Sequence, residues 1–257
     1  MNRLQGKRAL ITGAAGGIGS ATAQLFCEQG AAVVLVDLPE SPLETVTRQI
    51  RDGVPDARAY AFAANLGQES AAVAAVRAAL AHLGGLDVLV NNAGIRAYEP
   101  LSEARAETWE RILAVNLLSY AYLTREALPA LRASGRGSVI NVSSTHAFHP
   151  RAGMGQYDVA KAGIVSMTRT LAFEESAHGI RANALCPGLT LTPFHVRRAQ
   201  AQGQTEQDLR TAVVGNNLQK RWADPREVAY PILWLASDEA SFVNGAALMV
   251  DGGTVGA

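Results

Sequence analysis

The stretch RALITGAAGGIGSATAQLF, residues 8–26, limits what this chain can fold into more than any other. An apolar, strand-like run passes directly into TGAAGGIG, Thr12–Gly19, and a helical pattern begins at Ser20. Gly13, Gly17 and Gly19 let the backbone turn tightly and come close to an anion. The helix that follows offers free N–H groups and the positive end of its dipole to that anion. A glycine triplet alone is weak, but on a strand–turn–helix it is the signature of a loop that cradles the pyrophosphate of a dinucleotide.

The remainder of the chain continues the same pattern. Apolar runs at Ala9–Thr12, Ala32–Val36, Ala59–Ala63, Leu86–Val90, Ser138–Val142, Arg181–Leu185 and Ala247–Val250 are separated by helix-length segments, among them Ala71–Leu83, Glu103–Leu131, Met154–Ala177 and Pro225–Ala236. Continuous rather than alternating apolar strands belong to a sheet buried on both faces. Strand–helix alternation makes the strands parallel and the crossovers right-handed. The expected fold is α/β: a doubly wound, Rossmann-type parallel sheet of about seven strands with helices on both faces. No linker or low-complexity segment divides the chain, so a single domain over residues 1–257 is expected. The segment Thr190–Gln219 is polar, holds Gly203 and Gly215, and is expected to cover a site as a lid.

Composition narrows the function. Lys plus Arg and Asp plus Glu both total 23, so no global field draws in nucleic acid or an anionic membrane. No apolar run is long enough to span a bilayer, the N-terminus lacks the pattern of a secretory signal, and the two cysteines, Cys27 and Cys186, suit a reducing compartment. A cytoplasmic protein without a metal site is expected, with a small molecule as its partner.

Two further features carry chemistry. The second strand ends at Asp37, eighteen residues after Gly19. A carboxylate there can accept both adenosine-ribose hydroxyls and repels a 2′-phosphate; Leu38 and Pro39 follow and no Lys or Arg accompanies it, so NAD is expected over NADP. In QYDVAKAG, residues 156–163, Tyr157 and Lys161 stand four apart, one helical turn, so the phenol and the ammonium share a face.

In order, TGAAGGIG at 12–19, Asp37, NNAG at 91–94, Asn116, Ser144, Tyr157 with Lys161, and PGLTLT at 187–192 resemble the short-chain dehydrogenase/reductase family over essentially the whole length. Ser144, thirteen residues before Tyr157, is the most specific spacing. The resemblance implies a catalytic set of Asn116, Ser144, Tyr157 and Lys161. Oxidising an alcohol by hydride transfer leaves a proton on oxygen for a base to take. Tyrosine in water titrates near ~10 and is a poor base at neutrality, and a neighbouring ammonium stabilises its phenolate. Lys161 would supply that ammonium and hold the nicotinamide ribose. Ser144 would hydrogen-bond the substrate oxygen, and Asn116 would hold a water linking the lysine to solvent. For the cofactor the resemblance implies contacts from Gly13, Gly17, Ile18, Gly19 and Asp37, and from Asn65 and Leu66 after the third strand. It adds Asn92, Ala93 and Gly94 after the fourth, and Pro187, Gly188, Thr190 and Thr192 around the nicotinamide. Asn65 departs from the family's usual aspartate beside the adenine amine, though its side-chain oxygen can still accept. A homotetramer is implied as well.

Substrate identity is the least constrained. Arg96, His146, His149, Gln156 and His195 are expected to line the substrate space, which favours a small polar hydroxy compound such as a polyol, sugar or hydroxy acid. A hydrophobic cyclic or aryl ketone, a carrier-bound 3-oxoacyl group, and a non-catalytic dinucleotide-binding regulator are the alternatives. The last is disfavoured by the complete tetrad.

Overall fold

Runs of Val, Ile, Leu and Ala between glycine-marked turns become seven parallel strands. The computed structural model describes residues 2–214 and 217–254. Its strands are β1 (Arg8–Thr12), β2 (Ala32–Asp37), β3 (Arg58–Ala63), β4 (Val88–Asn91), β5 (Ser138–Val142), β6 (Arg181–Pro187) and β7 (Ala247–Val250). They pair in the order β3-β2-β1-β4-β5-β6-β7, every neighbour parallel. The helices are α1 (Gly17–Glu28), α2 (Leu43–Gly53), α3 (Glu69–Leu83), α4 (Ala106–Leu113), α5 (Ser119–Ser134), α6 (Gly155–Glu175), α7 (Pro193–Gln200), α8 (Glu206–Thr211) and α9 (Pro225–Ala236).

Successive strand residues point to opposite faces, and both faces are dry. Ile11, Val33, Leu35, Val90 and Ile140 pack with Phe26 of α1 and with Ile232 and Leu235 of α9. Leu10, Val34, Val36, Leu89 and Val139 pack with Val76 of α3 and with Leu123 and Leu131 of α5. Truncating a fully buried ring such as Phe26 costs about 3–5 kcal/mol in a core of this kind. β1 is flanked by β2 and β4, and this is where the strand order reverses, so a crevice opens outside their carboxyl ends.

The sequence reads Glu103–Leu131 as one helix. The structure interrupts it: α4 ends at Leu113, a π-helical turn runs over Ala114–Leu118, and α5 starts at Ser119. The wider turn inserts a residue into the helical register, and the fully buried Asn116 lies within it. The polar segment after Pro187 contains two short helices, α7 and α8, the second closed by a capping box between Thr205 and Asp208. Gly215, counted in that segment, lies outside the described residues. Among the described residues no helix is long and apolar enough to cross a membrane.

Candidate active site

At the end of β1 the chain turns through Gly13 with φ 63°. A Cβ there would stand 2.8 Å from Ala93 Cα, and one on Gly19 would stand 2.2 Å from the Gly13 carbonyl oxygen. Only glycine lets α1 close on the turn and the turn close on the loop after β4. α1 starts at Gly17 with no side-chain cap and no acidic residue in its first turn, so its amide donors and dipole remain for an anion. The Thr12 hydroxyl accepts from the amides of Asn92 at 3.0 Å and Ala93 at 3.1 Å. The Asn92 side chain donates to the carbonyls of Thr12 at 2.8 Å and Gly13 at 3.1 Å. The two loops therefore form one rigid floor.

Asp37, at the tip of β2, accepts from the Ala15 amide at 2.8 Å through one carboxylate oxygen and from the Leu38 amide at 2.8 Å through the other. Each oxygen keeps a lone pair for a further donor. The wall beside it, Leu38, Glu40, Ser41 and Pro42, carries no cation. Asn65 is exposed, and its side-chain oxygen accepts from the Gly67 amide at 3.1 Å.

Tyr157 and Lys161 lie on the buried stripe of α6, with Ala160, Ile164, Val165, Thr168 and Leu171 continuing it at helical period. The same pattern that packs α6 on the sheet thus drives a phenol and an ammonium inward. Lys161 Nζ donates to the Val142 carbonyl at 2.9 Å and stands 5.6 Å from the ring centres of Tyr157 and Tyr120. Burial, and next the Arg96 cation, pull Lys161 from 10.5 to about 7. Ser144 follows β5, its oxygen accepting from the His146 amide at 3.2 Å, and neighbouring Ser143 donates to the Lys161 carbonyl at 2.7 Å.

Tyr120 was not singled out in the sequence. Its hydroxyl lies 2.9 Å from the Ala93 carbonyl and 3.2 Å from that of Val142, tying the loop after β4 to the end of β5. Burial holds this phenol well above 10, with the Tyr157 charge adding to it. The SYAYL pattern places it on a helix but gives no sign of where its hydroxyl ends.

One cavity of about 1160 Å³ connects these parts. Gly13, Gly17, Ile18, Gly19, Asp37, Asn65, Leu66, Asn92, Ala93 and Gly94 line it, as do Pro187, Gly188, Thr190 and Thr192 and the trio Ser144, Tyr157 and Lys161. Asn116 lies behind that wall, buried, with its amide on Ile95. An uncapped helix end, a carboxylate with spare lone pairs and a long cleft at the strand carboxyl ends together fit a dinucleotide. A second concavity, about 820 Å³, lies at the amino ends of β2 and β3 beside Cys27, Glu28 and Arg58, and holds none of the motif residues.

The five residues expected around the substrate separate. Arg96 and His195 line the cavity. The His146 ring is engaged by Asp158, Nδ1 to Oδ1 at 2.8 Å, and stands edge-on to Tyr157; burial lowers its pKa against the pull of Asp158. Gln156 is fully buried and donates to Glu99 at 3.3 Å. Neither His146, His149 nor Gln156 lines the cavity. Phe194 and Trp222, not expected, come in with His195: Phe194 lines the cavity, and the Trp222 ring lies 4.9 Å from that of His195.

Comparison with known proteins gives a consistent pattern. The family model described as enoyl-(acyl carrier protein) reductase matches residues 13–255. The cis-4-hydroxycyclohexanecarboxylate dehydrogenase of Sinomonas cyclohexanicum is 41% identical over 95% of both chains. The 3-oxoacyl-(acyl-carrier-protein) reductase of Thermotoga maritima is 36% identical, covering 98% of this chain and 99% of that one. The L-sorbose reductase of Gluconobacter frateurii, solved with NADPH and L-sorbose, superposes with a TM-score of 0.93 at 32% identity, covering 99% of this chain and 98% of the other.

Proposed function

This chain belongs to the short-chain dehydrogenase/reductase family, and from that premise we propose that it is an NAD(H)-dependent oxidoreductase interconverting a small polar secondary alcohol and its ketone. Its relatives include enzymes of a hydroxy acid, a carrier-bound oxoacyl group and a sugar. The oxidoreductase class is common to them and the substrate is not.

The observation that carries the reading is the shared cavity. Ser144, Tyr157 and Lys161 line the same cleft as the glycine turn and Asp37, so a dinucleotide laid along it brings its nicotinamide end to the phenol. The bound nicotinamide ring supplies hydride acceptance and donation. Everything else falls to the protein. Ser144 donates to the carbinol oxygen, and Tyr157 takes its proton during oxidation or returns one during reduction. In its protonated form Lys161 places a positive charge beside that phenol, and it would hold the nicotinamide ribose. A Cβ on Gly94 would stand 3.5 Å from both the Asn116 side-chain oxygen and Lys161 Nζ, and Asn116 would position the water that relays the proton outward. Asp37 selects NAD over NADP by accepting from the adenosine ribose. The NADPH in the L-sorbose reductase structure belongs to that protein; here the Asp37–Pro42 wall offers a 2′-phosphate two carboxylates and no cation. Residues 1–257 act as one domain, with α7 lining the nicotinamide end through Phe194 and His195. The working form is a cytoplasmic homotetramer.

Steady-state assays of the purified protein with NAD⁺ against polyols, sugars, hydroxy acids and cyclic alcohols test this reading. Oxidation of polar secondary alcohols is expected. A panel in which only hydrophobic alcohols react overturns the polar substrate class and leaves the enzyme class standing.

A further inference from the structure

The nicotinamide end of the cavity holds a cation with no counter-charge. Among the described residues, Arg96 forms no ion pair within 4.0 Å, and neither do Arg111 and Arg197, which also line the cavity; what sets Arg96 apart is how it is held. The carboxylates that line the cavity, Asp37 and Glu40, are at its adenosine end. Arg96 is nonetheless held firmly. Its guanidinium carbon lies 5.5 Å from the ring centre of Tyr157 and 5.5 Å from that of Phe194 on α7.

A third contact fixes its rotation. Arg96 Nη1 stands 3.2 Å from His195 Nε2, and His195 Nδ1 stands 2.9 Å from the Thr192 hydroxyl. A guanidinium can only donate, so Nε2 accepts and the ring proton sits on Nδ1, facing Thr192. Burial, then the cations of Arg96 and Arg198, bring His195 down to about 4, so it stays neutral in this role. The two rings and the neutral imidazole orient the guanidinium without cancelling its charge. Burial lowers the Arg96 pKa, but the phenols of Tyr157 and Tyr98 outweigh it and raise the pKa, so the guanidinium stays charged here. With no carboxylate paired to it, it can take an anion during turnover. The planar fork matches the two oxygens of a carboxylate.

We propose that Arg96 receives a carboxylate of the substrate, so that the couple handled at this site is a compact hydroxy acid and its oxo acid. This rests on the reading of Tyr157 as the group facing the carbinol, because the same ring carries the guanidinium over its face. The carboxylate and the carbinol therefore belong to one small molecule spanning Arg96 and the Tyr157 hydroxyl. His195 is a positioning residue: it aims Arg96 and links it through Thr192 to the cofactor wall.

The test pairs 2-, 3- and 4-hydroxy acids with their primary amides, which keep the skeleton and lose the charge, in assays of the full chain with NAD⁺. For the best acid, kcat/KM should exceed that of its amide by about 100-fold, and Arg96→Gln should collapse the ratio to below about fivefold, mainly through KM. Arg96→Lys should keep an intermediate ratio, since the charge remains and the fork is lost. His195→Ala should weaken the preference in the same direction. A non-reacting deoxy acid provides a second readout: it should raise the melting temperature of the wild-type protein with NAD⁺ and fail to do so for Arg96→Gln. Neutral polyols oxidised far better than any acid would overturn the carboxylate assignment while the oxidoreductase reading stands. If no alcohol reacts, that reading falls, and a deoxy acid that then gives no Arg96-dependent shift removes this one too.

Discussion

Asn116 grips the backbone of Ile95 from both sides: its oxygen accepts from the Ile95 amide at 2.8 Å and its nitrogen donates to the Ile95 carbonyl at 2.8 Å. Gly94 and Arg96 flank that residue, so the π-helical turn that buries Asn116 also sets the loop carrying the guanidinium. Asn116→Ala leaves two partly buried backbone groups without partners, each costing about 1–3 kcal/mol. We expect a stability loss of about 2–4 kcal/mol in denaturant unfolding, together with a drop in kcat. Asn116→Asp should recover the amide contact but set a carboxylate against the Ile95 carbonyl, and so rescue little. Unchanged stability in Asn116→Ala would show that the clamp is dispensable.

Lys161 gives the site a stability that depends on pH. Its amine is held at about 7 in the folded chain, chiefly by burial, and returns to about 10.4 on unfolding. Between those values the unfolded state binds the extra proton, so stability rises with pH across that window. Below about pH 7 both states are charged and the folded one bears the full desolvation cost. Lys161→Met removes that cost. Without cofactor its melting temperature should exceed that of the wild type by several degrees at about pH 6, and the gap should close towards about pH 10. A gap that stays constant with pH contradicts the burial account.

Tyr157→Phe should lower kcat by at least about 10³-fold while NADH, followed by its fluorescence, binds within a few-fold of wild type, because the lost oxygen acts on the substrate proton. Lys161→Ala should weaken both turnover and NADH binding. Wild-type turnover in Tyr157→Phe would remove the tyrosine from its role.

Asp37 should favour NAD⁺ over NADP⁺ by at least about tenfold in kcat/KM, or about 1.4 kcal/mol. Because the same carboxylate accepts from Ala15 and Leu38, Asp37→Ala should both narrow that preference and raise KM for NAD⁺ through a looser glycine turn. Equal use of the two cofactors by the wild type sinks the claim.

Two exposed rings bear on the expected tetramer. Phe242 and Phe173 are 102% and 88% exposed, an arrangement that an isolated chain leaves in water at a cost. Light scattering at micromolar concentration should return a tetramer, and Phe242→Glu should shift it towards smaller species. A clean wild-type monomer contradicts the expectation.

The periodicities of the chain were sufficient for the sheet and for the cofactor end of the cleft. Apolar runs of strand length, glycines at Gly13, Gly17 and Gly19, and a carboxylate at a strand tip are local signals, because each needs only its own few residues to turn, pack or face an anion. The Tyr157–Lys161 pair belongs with them, since helical spacing alone puts both on one face.

What surrounds that pair was decided elsewhere. His146, expected at the substrate, is engaged by Asp158, and the fully buried Gln156 meets Glu99. The helix read over Glu103–Leu131 opens into a π-helical turn at Asn116, whose side chain meets the Ile95 backbone twenty-one residues upstream. Arg96 carries no distinctive spacing at all. Its role depends on Tyr157 from α6 and on Phe194 and His195 from α7 converging on one guanidinium. The sequence by itself determined the α/β architecture, the glycine turn and the Tyr157–Lys161 spacing, since these follow from backbone period and local sterics. The unpaired cation over the Tyr157 ring was decided only by the tertiary structure, because whether a charge finds a partner depends on which distant segments the fold brings beside it.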